Sequence, residues 1–226
     1  PSRALNAVDN TPTPTMTRAR YRTLTALAFV AAAALRLLLW WANPPGNAFD
    51  DQFTPILLIM KSGKIPATDA CWMCYHPPVF YWTSAMFGKL VAGAGAGLPL
   101  LLKALQFLPC LYGILTVWLL RLILEQLPLS DFSRLMAFGT ACFLPRHIYM
   151  SAMNSNDSLS YLLAALAVFL MLAAARKRTS PVLFLAAGGA ITAAFFTKYT
   201  AIALLPAALV VFAWLYRARG ARPARE

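Results

Sequence analysis

Apolar runs alternate with short polar breaks along most of this chain. Six of the runs read as bilayer spans: residues 24–42, 98–124, 135–153, 159–175, 182–196 and 201–216. A span needs about 20 apolar residues to cross the ~30 Å hydrocarbon core, so the shorter runs are marginal. Joined into one helix, residues 182–216 would extend about 52 Å, too long for a simple span. Thr197-Lys198-Tyr199-Thr200 supplies the break. Within the long polar stretch 43–97, Phe53, Ile56, Leu57 and Met60 have helical spacing and predict an amphipathic helix in the membrane interface. Pro77-Pro78 can start a second helix, with Val79, Trp82, Met86 and Phe87 on its apolar side, and Gly93, Gly95 and Gly97 end it.

The expected fold class is therefore all-α: a polytopic membrane helical bundle of about six transmembrane helices, with a long first extracytoplasmic loop holding interfacial helices. Composition agrees. Of 226 residues, 60% are hydrophobic and only 12% charged, about half the charged share of soluble domains. The formal net charge of +12 does not point to nucleic acid, because the basic residues form no single face. They cluster instead at Arg18, Arg20 and Arg22, at Arg176-Lys177-Arg178, and at Arg217, Arg219, Arg222 and Arg225. Six spans put all three clusters, and both termini, on the cytoplasmic side, as the positive-inside rule expects. Trp40, Trp41, Trp72 and Trp82 suit an interfacial aromatic belt.

Three parts follow along the chain. Residues 1–20, rich in Thr and Pro, are expected to be a disordered cytoplasmic tail. Residues 21–216 form the transmembrane module, and 217–226 a basic cytoplasmic tail. The first apolar run is expected to act as an uncleaved signal anchor. Its alanine-rich spans point to an integral protein of a bacterial plasma (inner) membrane.

On this topology the loop 43–97, the turn at Asn154-Ser155-Asn156-Asp157 and the Lys198 turn face the same, extracytoplasmic side. Asp50 and Asp51 open the polar segment beyond the first span. A carboxylate there can act as general base or bind a divalent metal, or one of the pair can cap the following helix. Asp157 or Asn156 can cap the next span, or Asp157 can supply a second acid facing the same chamber. Lys198 can snorkel or hold a lipid phosphate as a point charge. Arg146 and His147, after the kink-forming Pro145, can join it. Cys71, Cys74 and His76 give three zinc ligands at crowded spacing where four are wanted; a local Cys71–Cys74 disulfide is the other reading, if the loop faces an oxidising compartment. Cys110 and Cys142 read as core, and Arg36, Lys103 and Arg121 as snorkelling residues. Gly188-Gly189-Ala190 reads as a close helix-packing site.

In order, these motifs resemble the GT-C superfamily of polyprenyl-phosphate-sugar glycosyltransferases, in the branch of protein O-mannosyltransferases and lipid A aminoarabinose transferases. The likeness runs over roughly residues 20–216. It rests on Phe49-Asp50-Asp51 after the first span, Gly63-Lys64-Ile65-Pro66, His76-Pro77-Pro78-Val79-Phe80-Tyr81, Pro145 with Asn156-Asp157, and Thr197-Lys198. The chain looks like the N-terminal membrane module of such an enzyme, with His76 where the aminoarabinose transferases carry a lysine. The resemblance implies inverting sugar transfer from a membrane-embedded polyprenyl-phosphate donor to an extracytoplasmic acceptor. It implies Asp50 as the acid that deprotonates or orients the acceptor, with Asp51 supporting. Asp157 would share the cavity and help hold the acceptor or a divalent metal, and Lys198 with Arg146 would neutralise the departing phosphate. A second reading is a non-catalytic integral subunit that keeps the fold and supports a larger membrane complex. Expected partners are membrane lipids, the lipid-linked sugar and, on that second reading, other membrane subunits.

Overall fold

The computed structural model describes residues 16–46, 51–177 and 180–220, and the side chains of all but 177 and 214–220 among them. Of the expected disordered tail at 1–20, residues 1–15 lie outside the described residues, as does Asp50; its end is corrected, since Thr17 caps α1 and Arg18–Arg20 are helical. The described chain is helical, with no strand. In order the helices are α1 (Arg18–Ala42), α2 (Phe53–Ser62), α3 (Val79–Gly93), α4 (Leu98–Glu125), α5 (Asp131–Cys142), α6 (Pro145–Ser151), α7 (Asn156–Lys177), α8 (Pro181–Phe195) and α9 (Leu204–Gly220), with a 3₁₀ turn at Tyr199–Ala203 before α9.

Among the described residues three helices are long and apolar enough to cross a membrane: Arg18–Ala42, Leu98–Glu125 and Asn156–Arg176. At ~1.5 Å per residue they reach about 38, 42 and 32 Å. The expected third span is not one helix. It divides into α5 and α6 at Phe143-Leu144-Pro145, because proline cannot donate the backbone hydrogen bond that would continue α5. The expected break between the last two runs is present at Phe196–Lys198.

Local chemistry accounts for the ends. Thr17 caps α1, its hydroxyl accepting from Arg20 N at 3.3 Å. Gly63, at φ 70°, closes α2 in the left-handed region that glycine enters without strain. Ser130 caps α5, and Asp131 sits in its first turn, where the helix dipole favours an acid.

Helix α4 is the centre, touching α1, α3, α5, α6 and α7, while α7 carries α8 on its other side. Packing leaves three cores. One joins α2, α3, α4 and the first turn of α7 through Phe53, Ile56, Ile59, Phe80, Tyr81, Leu105 and Leu159. A second joins α7, α8 and α9 through Ala167, Met171, Ala187, Ile191 and Ala208. The third joins α1, α4 and α5 through Ala32, Val117, Phe138 and Cys142.

Two packing expectations are refined. The most buried stripe of α3 is Phe80, Tyr81, Ser84, Ala85 and Gly88; Val79, Met86 and Phe87 pack against the same core partly buried, and of the expected apolar side only Trp82 is exposed. A Cβ on Gly88 would lie 2.7 Å from Met60 Sδ, so the glycine there lets the Met60 side chain of α2 lie close. Of Gly188-Gly189-Ala190, Ala190 packs in the core between α7 and α8 with Ala187 and Ile191, while Gly188 and Gly189 have nothing within 4 Å of an added Cβ. Of the aromatic belt, Trp41, Trp72 and Trp82 are exposed, as amphipathic rings at a lipid–water boundary would be.

Candidate functional site

The two ends of the bundle differ. One end, here called the mouth, gathers the C-terminus of α1, the α2–α3 hairpin, the N-termini of α4 and α7, and the C-terminus of α8. Leu159 in the first turn of α7 packs into the α2–α3 core. Val79 N at the start of α3 donates to Phe196 O at the end of α8, 3.1 Å away. Asp51, His76, Asp157 and Lys198 belong to segments that meet at the mouth.

Lys198 and Asp157 form an ion pair across 41 positions of sequence, Nζ to Oδ1. Its side chains are only 23% and 11% exposed, so water screens the pair less than a surface pair. The α7 N-terminus adds a favourable partial charge to Asp157. The expected capping role of Asp157 or Asn156 is corrected: Asn156 is the first helical residue, and the Ser155 hydroxyl accepts from Asp157 N at 3.2 Å. Asn156 is buried with its amide Nδ2 unpartnered, and Asn154 is buried with both side-chain amide atoms unpartnered. A buried amide without a partner is costly, and such groups await a ligand or water.

Asp51 is exposed and turned onto its own helix. Its oxygens accept from Thr54 N at 3.2 Å and from the Thr54 hydroxyl. That is the capping alternative for one of the two acids. The neighbouring Gln52 is buried and accepts from the Tyr81 hydroxyl at 2.6 Å, locking the start of α2 to α3. Among the described residues no three His, Cys, Asp or Glu side chains gather. Cys71 and Cys74 are joined in a disulfide, which consumes both thiolates that the zinc reading needed. His76 follows it, stacked on Tyr75 at 4.1 Å between ring centres.

Arg146 and His147 do not act together. Adjacent residues on α6 point about 100° apart; Arg146 is exposed and His147 buried. His147 Nδ1 lies 2.7 Å from Arg36 Nη2. A guanidinium only donates, so Nδ1 accepts and the ring proton sits on Nε2. Arg36 is not a snorkelling residue, since it is 0% exposed. Its Nη1 donates to Ala32 O at 2.8 Å and Cys142 O at 3.2 Å, the second carbonyl freed where α5 stops. Lys103 is also corrected. Its ammonium donates to the carbonyls of Trp40, Trp41 (3.2 Å) and Asn43 (2.6 Å), capping the C-terminus of α1. Gln106 Nε2 bridges Pro44 O and Ala152 O at 3.2 and 2.7 Å.

Sequence reasoning passed over Gln52, Tyr81, Asn154 and Ser155. Asn154 carried a visible signal, a second amide in the same polar turn. Gln52 and Tyr81 carried none, because their pairing spans 29 positions.

These features define an integral membrane helical protein whose mouth carries a largely buried ion pair and unpartnered amides. The comparison with known proteins gives the family. The chain belongs to the dolichyl-phosphate-mannose-protein mannosyltransferase family, whose model matches residues 75–223. His76, Arg146, Asp157 and Lys198 fall inside the match; Asp50 and Asp51 precede it. No curated protein and no solved structure matches the chain.

Proposed function

We propose that this chain acts in sugar transfer from a polyprenyl-phosphate donor to an acceptor outside the cytoplasm, with inversion. The supporting observation is the Lys198–Asp157 pair, set at the mouth beside α2 and α3 in a member of a mannosyltransferase family. The acceptor oxygen attacks the anomeric carbon from the face opposite the phosphate. The bond from that carbon to the phosphate oxygen breaks, and polyprenyl phosphate leaves with the electron pair. Because this leaving group is already anionic, a fixed cation aids it more than an acid does. Lys198 supplies that cation, Asp157 holds it in place, and Arg146 stands exposed on α6. Asp50 takes the acceptor proton, and Asp51 positions the start of α2. Asn154 and Asn156, with unpartnered amides, offer hydrogen bonds to sugar hydroxyls. A divalent metal shared by Asp50 and Asp157 would have to displace Lys198 from Asp157.

On this reading the mouth faces away from the cytoplasm of a bacterial inner membrane, and both termini lie inside. The Cys71–Cys74 disulfide supports that side, since such bonds persist in oxidising compartments.

The test is transfer from radiolabelled polyprenyl-phosphate sugars in membranes carrying the chain. Asp50→Asn should lower the rate on the order of 10²–10⁴-fold, while Asp51→Ala should mainly cost stability, about 1 kcal/mol. A rate unchanged by both Asp50→Asn and Asp157→Asn removes the assignment. One observation favours a second reading, a non-catalytic subunit of a membrane complex. Asp51 and Asp157 are both engaged in internal contacts. Absence of transfer with every donor, together with fixed partners on purification, selects it.

A further inference from the structure

The end of the bundle opposite the mouth holds a cavity of about 610 Å³ that the proposed chemistry does not use. It lies between the first two turns of α1, the last turns of α4 and the start of α5. Its lining is Arg18, Tyr21, Arg22, Thr25, Arg121, Glu125, Asp131 and Arg134. Four arginines face two acids, and each acid is already engaged. Glu125 accepts from Arg121 Nε at 3.0 Å, and Asp131 from Arg134 Nη1 at 2.7 Å.

The arginines divide by what they do. Arg134 is a strut: its remaining donors reach Leu124 O, Leu127 O and Leu129 O at 3.0–3.2 Å, tying α5 to the end of α4, and its guanidinium lies 5.8 Å from the Tyr21 ring. Arg121 gives Nε to Glu125 and lays its guanidinium over the Trp118 ring at 5.2 Å, and its terminal nitrogens have no hydrogen-bond partner among the described residues. Arg18 and Arg22 have no hydrogen-bond or ion-pair partner among the described residues, although they stand four apart on one face of α1. Like charges at that spacing repel unless an anion lies between them. A second, separate observation points the same way. Thr25 lines the cavity one turn deeper, is 2% exposed, and has no partner for its hydroxyl. The N-termini of α1 and α5 open at the same end and add positive partial charge.

We propose that this cavity binds a phosphate group, held by Arg18, Arg22 and the free terminal nitrogens of Arg121, with the Thr25 hydroxyl completing the shell. The shared chemistry is a phosphate anion. A phospholipid headgroup and a free phosphate are its two sources.

The test uses the full purified chain in neutral detergent, with dioctanoyl phosphatidic acid, dioctanoyl phosphatidylcholine and inorganic phosphate as separate probes. Binding is read by native mass spectrometry and by the shift in thermal midpoint. Phosphatidic acid should bind and raise the midpoint, and Arg18→Gln/Arg22→Gln should weaken it at least about tenfold, each lost charge-assisted contact being of that size. Arg20→Gln removes the same kind of charge outside the cavity and should weaken it less than about twofold. Thr25→Val, close in shape, should weaken it several-fold and so reports on the cavity without altering charge. Protection by inorganic phosphate at similar concentration identifies a free phosphate ligand; protection by phosphatidic acid alone identifies a lipid headgroup. Equal loss in Arg20→Gln and Arg18→Gln/Arg22→Gln, unchanged binding in Thr25→Val, or equal binding of phosphatidylcholine would overturn the proposal.

Discussion

Gly113 of α4 lies directly against Ser151 of α6, and replacing it by alanine tests how these two helices are held together. An added Cβ would lie 2.0 Å from Ser151 Oγ, 2.6 Å from Ser151 Cβ and 3.4 Å from Arg36 Nε. The hydroxyl could rotate away, at the expense of its 2.6 Å hydrogen bond to His147 O. The Ser151 Cβ cannot, because it is fixed to the backbone of α6. One helix must therefore shift by close to 1 Å; a shift of α6 carries His147 and the Asn154–Asp157 turn with it and moves His147 relative to Arg36 on α1. Overpacking of this kind costs about 1–3 kcal/mol, and the lost hydrogen bond about 1 kcal/mol more. Alanine returns up to about 1 kcal/mol through its better helix propensity. The net expectation is a loss of about 1–3 kcal/mol, or a fall of roughly 3–10 °C in midpoint for a chain of this size. The assay is circular dichroism at 222 nm on the protein in mild detergent, heated beside Gly139→Ala. Gly139 also lies in a helix, but an added Cβ there meets nothing within 4 Å, so that variant should be neutral or slightly stabilising. If Gly113→Ala melts with Gly139→Ala, the close approach of α4 and α6 is wrong.

Lys198→Met leaves Asp157 almost buried and unpaired, which should cost about 1–3 kcal/mol given the pair's partial exposure. Adding Asp157→Asn should restore the midpoint without restoring sugar transfer; recovery of both would show that the pair is structural only. Lys103→Met uncaps the carbonyls at the end of α1 and should lower the midpoint by the equivalent of about 1–2 kcal/mol, whereas a residue that merely snorkels would leave it unchanged. Cys71→Ser with Cys74→Ser opens a very short loop and should cost about 2 kcal/mol. Alkylation of the unfolded, unreduced native chain should label Cys110 and Cys142 alone, and labelling of all four cysteines would refute the bridge.

Much of this protein was legible from the order of its residues. The all-helical membrane class follows from runs too apolar to face water. The family was readable because Asp157, the Thr197-Lys198 pair and the Pro77-Pro78 step stand in a fixed sequence along the chain. The break before Tyr199 was visible for the same reason, since polar or proline residues interrupt a helix wherever it is placed; Pro145 marked a kink but not the full division of the expected third span. Such features depend on local backbone chemistry and on hydropathy, both of which are properties of short segments.

What pairs with what was settled only in three dimensions. Arg36 and Lys103 look like ordinary snorkelling residues in the sequence. Arg36 is buried because a carbonyl 106 positions away and a histidine 111 positions away converge on it. Lys103 reaches back 60 positions or more to the end of α1. On α3 the periodicity placed Val79, Met86 and Phe87 against the core but missed that Phe80 and Tyr81 lie deepest, because α2 and α4 both pack on that helix. Asp157 read as a helix cap or a second acid of the chamber, and Lys198 as a snorkelling or phosphate-holding cation on the same side; their pairing with each other came only with folding, since a charge leaving water is stabilised by whatever opposite charge the packed helices bring within reach.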